Sequence, residues 1–344
     1  MKRLTGALLV IGLIVLGGVI YYAGIAGIGQ ALHTLGWLGF SFVCLIHVPV
    51  IVLLGSAWWS VGRDISGARA WKFVWARYVR ESAAEVLPFS QLGGIVIGAR
   101  ALAISGMRMV PVAVSMLADL VIELAAKLPY VLSGIVLLFS ISPRSSVMKP
   151  AVLGAIMVGM TVVLLLVFHR RIKGWLENLA LQMAQRWPVL GLGTGSQIRP
   201  VFAHVFARDW RIVKALNMHL VAWLSGALET WFILRLMGTP ISASEAIVID
   251  SLVAALRTFG FAIPAAIGFQ EGGYVLLGGV FGIDPALAVA LSLVRRAREL
   301  ALGVPGLGMW QVIEGHRAYS TGRQDPPSQS DTLQRMINGR CRTL

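Results

Sequence analysis

Between Leu4 and Gly62 the chain contains no Lys, Arg, Asp or Glu. A bilayer crossing takes about 20 predominantly apolar residues, so this stretch holds two. The first is expected over Leu4 to Ala26 and the second over Leu35 to Trp59, joined by an uncharged loop containing Gln30 and His33. Lys2 and Arg3 precede the first run as they would in a signal peptide. Leu4 to Ile25 is nevertheless too long for the apolar region of such a peptide, and no convincing small-residue cleavage site follows. A retained helix is expected. The whole chain agrees, because 57% of it is hydrophobic, 13% is charged and the mean hydropathy is +0.76. A soluble domain could not cover that much apolar surface.

The net charge of +14, from 30 Lys+Arg against 16 Asp+Glu, would point a soluble protein toward nucleic acid. In a membrane protein it has a simpler origin, since basic residues collect in cytoplasmic loops beside anionic head groups. No nucleic-acid partner is expected. Arg63, Arg69, Lys72, Arg77 and Arg80 follow the second span, which returns the chain to the side where Lys2 and Arg3 lie. From Arg69 to Arg80 a helix places Trp71, Val74, Trp75, Tyr78 and Val79 on one arc and Arg69, Lys72, Arg77 and Arg80 on the other, with Phe73 as the exception. That pattern predicts a helix lying in the interface and meeting anionic phospholipids. A second such helix is expected over Arg170 to Trp187. Cys44 and Cys341 are too few for a disulfide framework or a metal site, and no metal or cofactor is expected. Residues 1–317 read as one integral membrane domain and 318–344 as a disordered cytoplasmic tail.

An offset of 176 aligns Pro88 with Pro264, Gly106 with Gly282, and Pro129 with Pro305. It also aligns Glu123-Leu124-Ala125 with Glu299-Leu300-Ala301, so that Glu-Leu-Ala-x-x-x-Pro occurs twice. The copies span about 35–142 and 215–314. The span before the first copy runs inward and the span before the second runs outward, which makes the copies inverted. Inverted copies place their interface near the bilayer midplane and let access alternate between its two sides. The expected fold is therefore all-α: a polytopic helical membrane protein with six to eight transmembrane helices, re-entrant segments and an inverted internal repeat.

Each copy carries an apolar segment broken by Pro and Gly. The first contains Pro88, Gly93 and Gly94, and the second contains Pro264, Gln270, Glu271, Gly272 and Gly273. Unpaired backbone groups are costly in hydrocarbon, so such breaks must face protein or a wet cavity. They read as re-entrant or discontinuous helices lining that cavity, the alternative being kinked spans or tight loops. Asp119, Glu123 and Lys127 recur every four residues on one helix face, and Arg295, Arg298 and Glu299 occupy the equivalent stretch of the second copy. Two readings stand level. One is a structural ion-pair cluster across the pseudo-two-fold interface, with Asp119 aligned to Arg295. In the other, these arginines, with Arg80, Arg100 and Arg257, hold an anionic head group through the planar guanidinium fork. Glu81, Glu85 and Glu271 sit beside the broken segments as sites for a cationic group or a coupling proton. Glu229 and His219 are weaker candidates, a lone His in an apolar helix being more often hydrogen-bonded within the bundle.

No Walker loop, H-E-x-x-H motif or nucleotide fingerprint occurs. Arg80-Glu81-Ser82 leading to Leu87-Pro88, then Gln91-Leu92-Gly93-Gly94 and Ala99-Arg100, resembles the first signature of the lysylphosphatidylglycerol synthase transmembrane family, the flippase-like membrane proteins. Pro264 to Gly273, followed by Ser292-Leu293-Val294-Arg295-Arg296-Ala297-Arg298-Glu299, is similar to its second signature. Within that family the sequence is most similar to hopanoid-biosynthesis-associated proteins of the L type. The resemblance implies a membrane domain that translocates a lipid across a bacterial inner membrane, without the soluble aminoacyl transferase of fused members. A membrane-embedded transferase and an accessory subunit of a lipid-biosynthesis complex are the alternatives.

Overall fold

The computed structural model describes residues 2–87, 90–142, 195–207, 209–259 and 267–322, with scattered helical positions between 152 and 182. Among these residues there is no strand. The helices are α1 (Lys2–Ala23), α2 (Ile25–Ser66), α3 (Ala70–Val86), α4 (Ser90–Ile104), α5 (Met109–Ile141), α6 (Gly195–Val205), α7 (Asp209–Leu236), α8 (Ala243–Phe259), α9 (Phe269–Val280) and α10 (Pro285–Gly322). At 42 and 33 residues, α2 and α5 are long and apolar enough to cross a bilayer by themselves. Most of the expected helix over Arg170 to Trp187 and most of the tail lie outside the described residues, as do Pro88 and Pro264.

The polarity of a soluble protein is reversed. Leu38 is 90% exposed and Trp37 84%, while Arg77 is 1% exposed. Apolar side chains on the outside and arginines within suit a hydrocarbon surround, where water cannot solvate the charges.

Helix order repeats at the offset read from the sequence. Ile104 and Val280, which end α4 and α9, stand 176 positions apart, and so do Met109 and Pro285, which open α5 and α10. Gly106 and Gly282 turn the chain between them at φ 98° and 72°, a region where a Cβ would be strained. Within each copy two short helices form a hairpin: Gly94 packs on Arg80 and Ala84, and Gly98 on Ala76 and Arg80. In the second hairpin Gly273 packs on Leu256 and Val253.

The order of contacts fixes the relative sense of the copies. Lys72 bonds Ser105 just before α5, Phe73 and Ser115 meet around Gly62, and Arg77 and Arg80 both reach Asp119 and Glu123 farther along, so α3 and α5 run together. Asp250 meets Arg295 and Arg257 meets Glu299, so α8 and α10 also run together. Between copies the order reverses. Gly134 of α5 faces Ser251 and Lys127 faces Thr258, while Gly303 of α10 faces Val86 and Gly306 faces Tyr78. The two units therefore run in opposite directions.

The helices before each unit follow the same rule. Phe42 packs on Phe232, His47 bonds Glu229 and Arg63 lies over Trp210, so α2 and α7 are antiparallel. Asp64 pairs with Arg211 and with His204. Residues 63–72 thus share one end of the molecule with residues 204–211. Lys72 Nζ donates to Ser105 O, and Arg317 Nη1 donates to Ile104 O, which brings the α4–α5 turn and the end of α10 to that same end. Gly27 packs on Ala286 at the other.

One expectation is overturned. The helix over Arg69 to Arg80 does not lie in the interface with its cations outward. It is α3, an arm of the first hairpin, and Arg77 and Arg80 are buried against Asp119 and Glu123. Phe73, the outlier of the amphipathic arc, is fully buried edge-to-face against Trp58. The carboxylates one helix away make an inward guanidinium cheaper than helix periodicity alone indicates.

Candidate functional site: a charged cavity between the two units

A cavity of about 540 Å³ lies where the hairpins approach each other, lined from α2, α3, α5, α7, α8, α9 and α10. Its cationic side chains are Arg77, Arg80, Lys127, Arg257, Arg295 and Arg298, and its carboxylates are Glu81, Glu85, Glu123, Glu229, Asp250 and Glu299. Among the described residues, formal charge on the lining balances.

The first cluster is built by α3 and α5. Arg77 grips Glu123 with both terminal nitrogens, at 3.0 and 2.8 Å, the bidentate geometry that suits guanidinium to carboxylate. It also reaches Glu81 at 2.8 Å, one turn along its own helix. Arg80 bonds Glu123 at 2.9 Å and Asp119 at 3.3 Å. Asp119 is fully buried behind them, and its other oxygen meets His219 Nε2 at 3.0 Å.

The second cluster joins α2, α7, α8 and α10. Arg298 bonds Glu229 at 2.8 Å and meets His47. Arg295 reaches Asp250 and Tyr274 through Nη1 and donates to Gly226 O at 3.1 Å through Nη2. Asp250 also accepts from Tyr130 at 2.7 Å and Thr230 at 3.0 Å. Arg257 stands between the units, 3.6 Å from Glu299 and 3.9 Å from Glu85. It ties the end of one hairpin arm to the end of the other.

One motif repeats in three dimensions. Glu123 and Glu299, equivalent in the two copies, each pair with the arginine late in the first hairpin arm of their own copy, Arg80 and Arg257.

A second hollow of about 340 Å³ adjoins the cavity on the outer side of α2, α3 and α10. Val48, Val52, Val74, Trp71 and Trp75 line it, and it shares Ile51, Tyr78 and Leu302 with the charged cavity. Tyr78 donates to Leu302 O at 2.7 Å on the boundary.

The family described as the lysylphosphatidylglycerol synthase TM region matches residues 9–306. The chain belongs to that family. Its members share a membrane domain associated with lipid handling, and the matched residues include both hairpins and the whole lining of the cavity. No curated protein and no solved structure gave a match.

In this family member the cavity gathers Arg80, Glu81, Glu85, Glu123, Arg257, Arg295, Arg298 and Glu299 of the residues singled out by sequence. Asp119 backs it from the protein side. The pairing of Asp119 with Arg295 across the interface is not what forms: Asp119 is satisfied by Arg77, Arg80 and His219, and Arg295 by Asp250 and Glu229. His219 is hydrogen-bonded within the bundle, as a lone His in an apolar helix usually is.

Arg100 does not reach the cavity; its side chain is 57% exposed and pairs with Glu314 at 2.9 Å. Glu271 also points elsewhere. Its Oε2 accepts the Gly268 N–H at 2.8 Å at the start of α9, and its Oε1 accepts from Ser292 at 3.0 Å and Arg296 at 2.6 Å. Gln270 donates to the same Ser292 at 2.7 Å. Both act as staples holding α9 to α10, because the freed N–H groups of a broken helix need acceptors. Gly94 and Gly273 are packing positions, while a Cβ at Gly93 or Gly272 would meet nothing among the described residues.

Sequence reasoning missed His47, Asp250 and Tyr274 and misplaced Arg77. Asp250 stands in the apolar run Ala246 to Leu256. The rule that picked out Asp119, an ionisable side chain at membrane depth, would have found it.

Proposed function

We propose that this protein moves a lipid with a polar head group across the bilayer, the head passing through the charged cavity while its tail stays in hydrocarbon. The observation that carries this reading is the contact between two unlike spaces. A charged hollow and an apolar groove share Ile51, Tyr78 and Leu302, a pairing that fits an amphiphile and gives a purely polar or purely apolar solute no advantage. The opposed sense of the two units supports alternating access, in which one unit rocks against the other about a fixed site. Arg257, at 3.9 Å from Glu85, is a contact loose enough to break in such a motion.

The likeness of the two signatures to the hopanoid-associated subtype extends the proposal to a polar hopanoid as cargo in a bacterial inner membrane. The end bearing Arg63, Arg69, Lys72, Arg108, Arg211 and Lys214 is the cytoplasmic one, following the positive-inside rule. The contacts of Arg63 with the Trp59 and Trp210 rings, at 5.2 and 5.9 Å, support a role at that end in meeting anionic phospholipid.

The test is reconstitution of the purified chain in vesicles containing a nitrobenzoxadiazole-labelled phospholipid or polar hopanoid, with dithionite added outside. Transport bleaches more than the outer-leaflet half of the label, and Ala222→Trp, which fills the cavity, returns bleaching to about half. Bleaching indistinguishable from protein-free vesicles for both lipids overturns the proposal. So does chemical conversion of the lipid without movement, which would make the protein a transferase.

A further inference from the structure

Among the cavity's cations one is unlike the rest. Arg77, Arg80, Arg257, Arg295 and Arg298 each lie no farther than 3.6 Å from a carboxylate. Lys127 has no carboxylate partner among the described residues. Its Nζ bonds Thr258 Oγ1, which in turn donates to Ala254 O at 3.1 Å, and it stands 4.9 Å from the centre of the Trp223 ring. An ammonium has three donors. Thr258 takes one and the indole face stabilises the charge without accepting a conventional hydrogen bond, so donor capacity remains on the cavity side.

The position is built rather than incidental. Trp223 is held by stacking on Tyr130 at 5.9 Å, and Tyr130 is anchored by its bond to Asp250. Pseudo-symmetry supplies an internal control. At the offset of 176, Lys127 corresponds to Gly303, Tyr130 to Gly306 and Thr258 to Ser82. There the seam between α10 and α3 is shut: a Cβ on Gly306 would come within 2.2 Å of Ser82 Oγ, and one on Gly303 within 2.9 Å of Val86 Cγ2. The equivalent seam, between α5 and α8, carries Lys127 and Tyr130 at these positions instead, with the Trp223 ring of α7 beside them. Two copies of one scaffold have diverged at this point, one to a close helix contact and the other to a half-buried cation on the cavity wall.

We propose that Lys127, set between Trp223 and Thr258, is the subsite for a phosphate-type anion of the ligand, the one place among the described residues where the lining offers positive charge not already neutralised. This deepens the reading of the cavity as a lipid head-group site and rests on it. Phosphate chemistry is shared by a phospholipid head and by free inorganic phosphate, so the test separates them.

The full chain, purified in a neutral detergent, is titrated by thermophoresis with dihexanoylphosphatidylglycerol, with a dihexanoyl glucosyl glycerol of the same tail and uncharged head, and with inorganic phosphate. The phospholipid binds about tenfold tighter than the glucosyl lipid, the effect of one charge-assisted hydrogen bond. Lys127→Met and Lys127→Gln abolish that preference and leave the glucosyl lipid's affinity unchanged, while Lys127→Arg keeps it. Competition by phosphate alone in the unmodified protein, lost in Lys127→Met, shows that the anion suffices; its absence with the lipid preference intact shows that the head group must be delivered by its tail. The subsite is overturned if either neutral variant retains the preference. Unmodified protein that binds both lipids equally overturns it without recourse to a variant. Because binding is read apart from movement, a Lys127-dependent preference in a protein that transports nothing sinks translocation and leaves the subsite standing.

Discussion

Asp119 is fully buried, and its two oxygens are shared among Arg77, Arg80 and His219. Removing one member of a buried ion cluster strands the others, at about 3–5 kcal/mol. Asp119→Asn should therefore lower the thermal midpoint in detergent by many degrees. Glu314→Gln, which breaks the exposed contact with Arg100, should change stability by less than ~1 kcal/mol. Charge exchange reports the pairing directly. Arg80→Glu with Glu123→Arg should recover part of the stability each single change loses. Asp119→Arg with Arg295→Asp should recover none, since those side chains have different partners, and recovery there would contradict the arrangement of the two clusters. At this scale helix spacing placed Asp119, Glu123 and Lys127 on one face. It carried no information on which arginine from another helix would meet them, and so Arg77 read as an interfacial cation.

Helices in this molecule approach each other through glycine where no side chain fits. A Cβ on Gly55 would lie 2.4 Å from Val74 Cα, and one on Gly94 would lie 2.7 Å from Arg80 O. Both neighbours are backbone and cannot swing aside. Gly55→Ala and Gly94→Ala should each cost about 1–3 kcal/mol by overpacking, read as a lower midpoint. Among the described residues nothing lies within 4 Å of a Cβ added at Gly272, so Gly272→Ala in α9 should raise stability by roughly 0.5–1 kcal/mol through helix propensity. A loss at Gly272 as large as at Gly94 would contradict the hairpin packing. The sequence showed glycine pairs in both broken segments; it could not say which glycine of each pair touches a neighbour, because that depends on the angle between hairpin arms.

Across the whole molecule, contacts sort the loops into two ends. Arg69 and Asp209 are exposed near the end defined by the pairing of Asp64 with Arg211, and Pro240 and Asp284 are exposed near the end defined by Gly27 and Ala286. Single cysteines at Arg69 and Asp209, in a chain with Cys44 and Cys341 replaced, should react with an impermeant maleimide only from one face of the membrane. Cysteines at Pro240 and Asp284 should react only from the other. Labelling of Arg69→Cys and Asp209→Cys from opposite faces would remove the opposed sense of the two units and, with it, alternating access.

The uncharged run from Leu4 to Gly62 and the offset of 176 determined from sequence alone that the chain is a helical membrane protein made of two related units. Both are local properties, set by transfer of side chains into hydrocarbon and by turns recurring at Gly106 and Gly282. Only the tertiary structure decided that Glu271 caps a helix while Glu229, Asp250 and Arg77 shape the cavity, and that among the described residues Lys127 alone of its cations lacks a carboxylate partner. The reason is physical: a buried charge is placed by its partners, and those partners arrive from helices more than forty residues away along the chain.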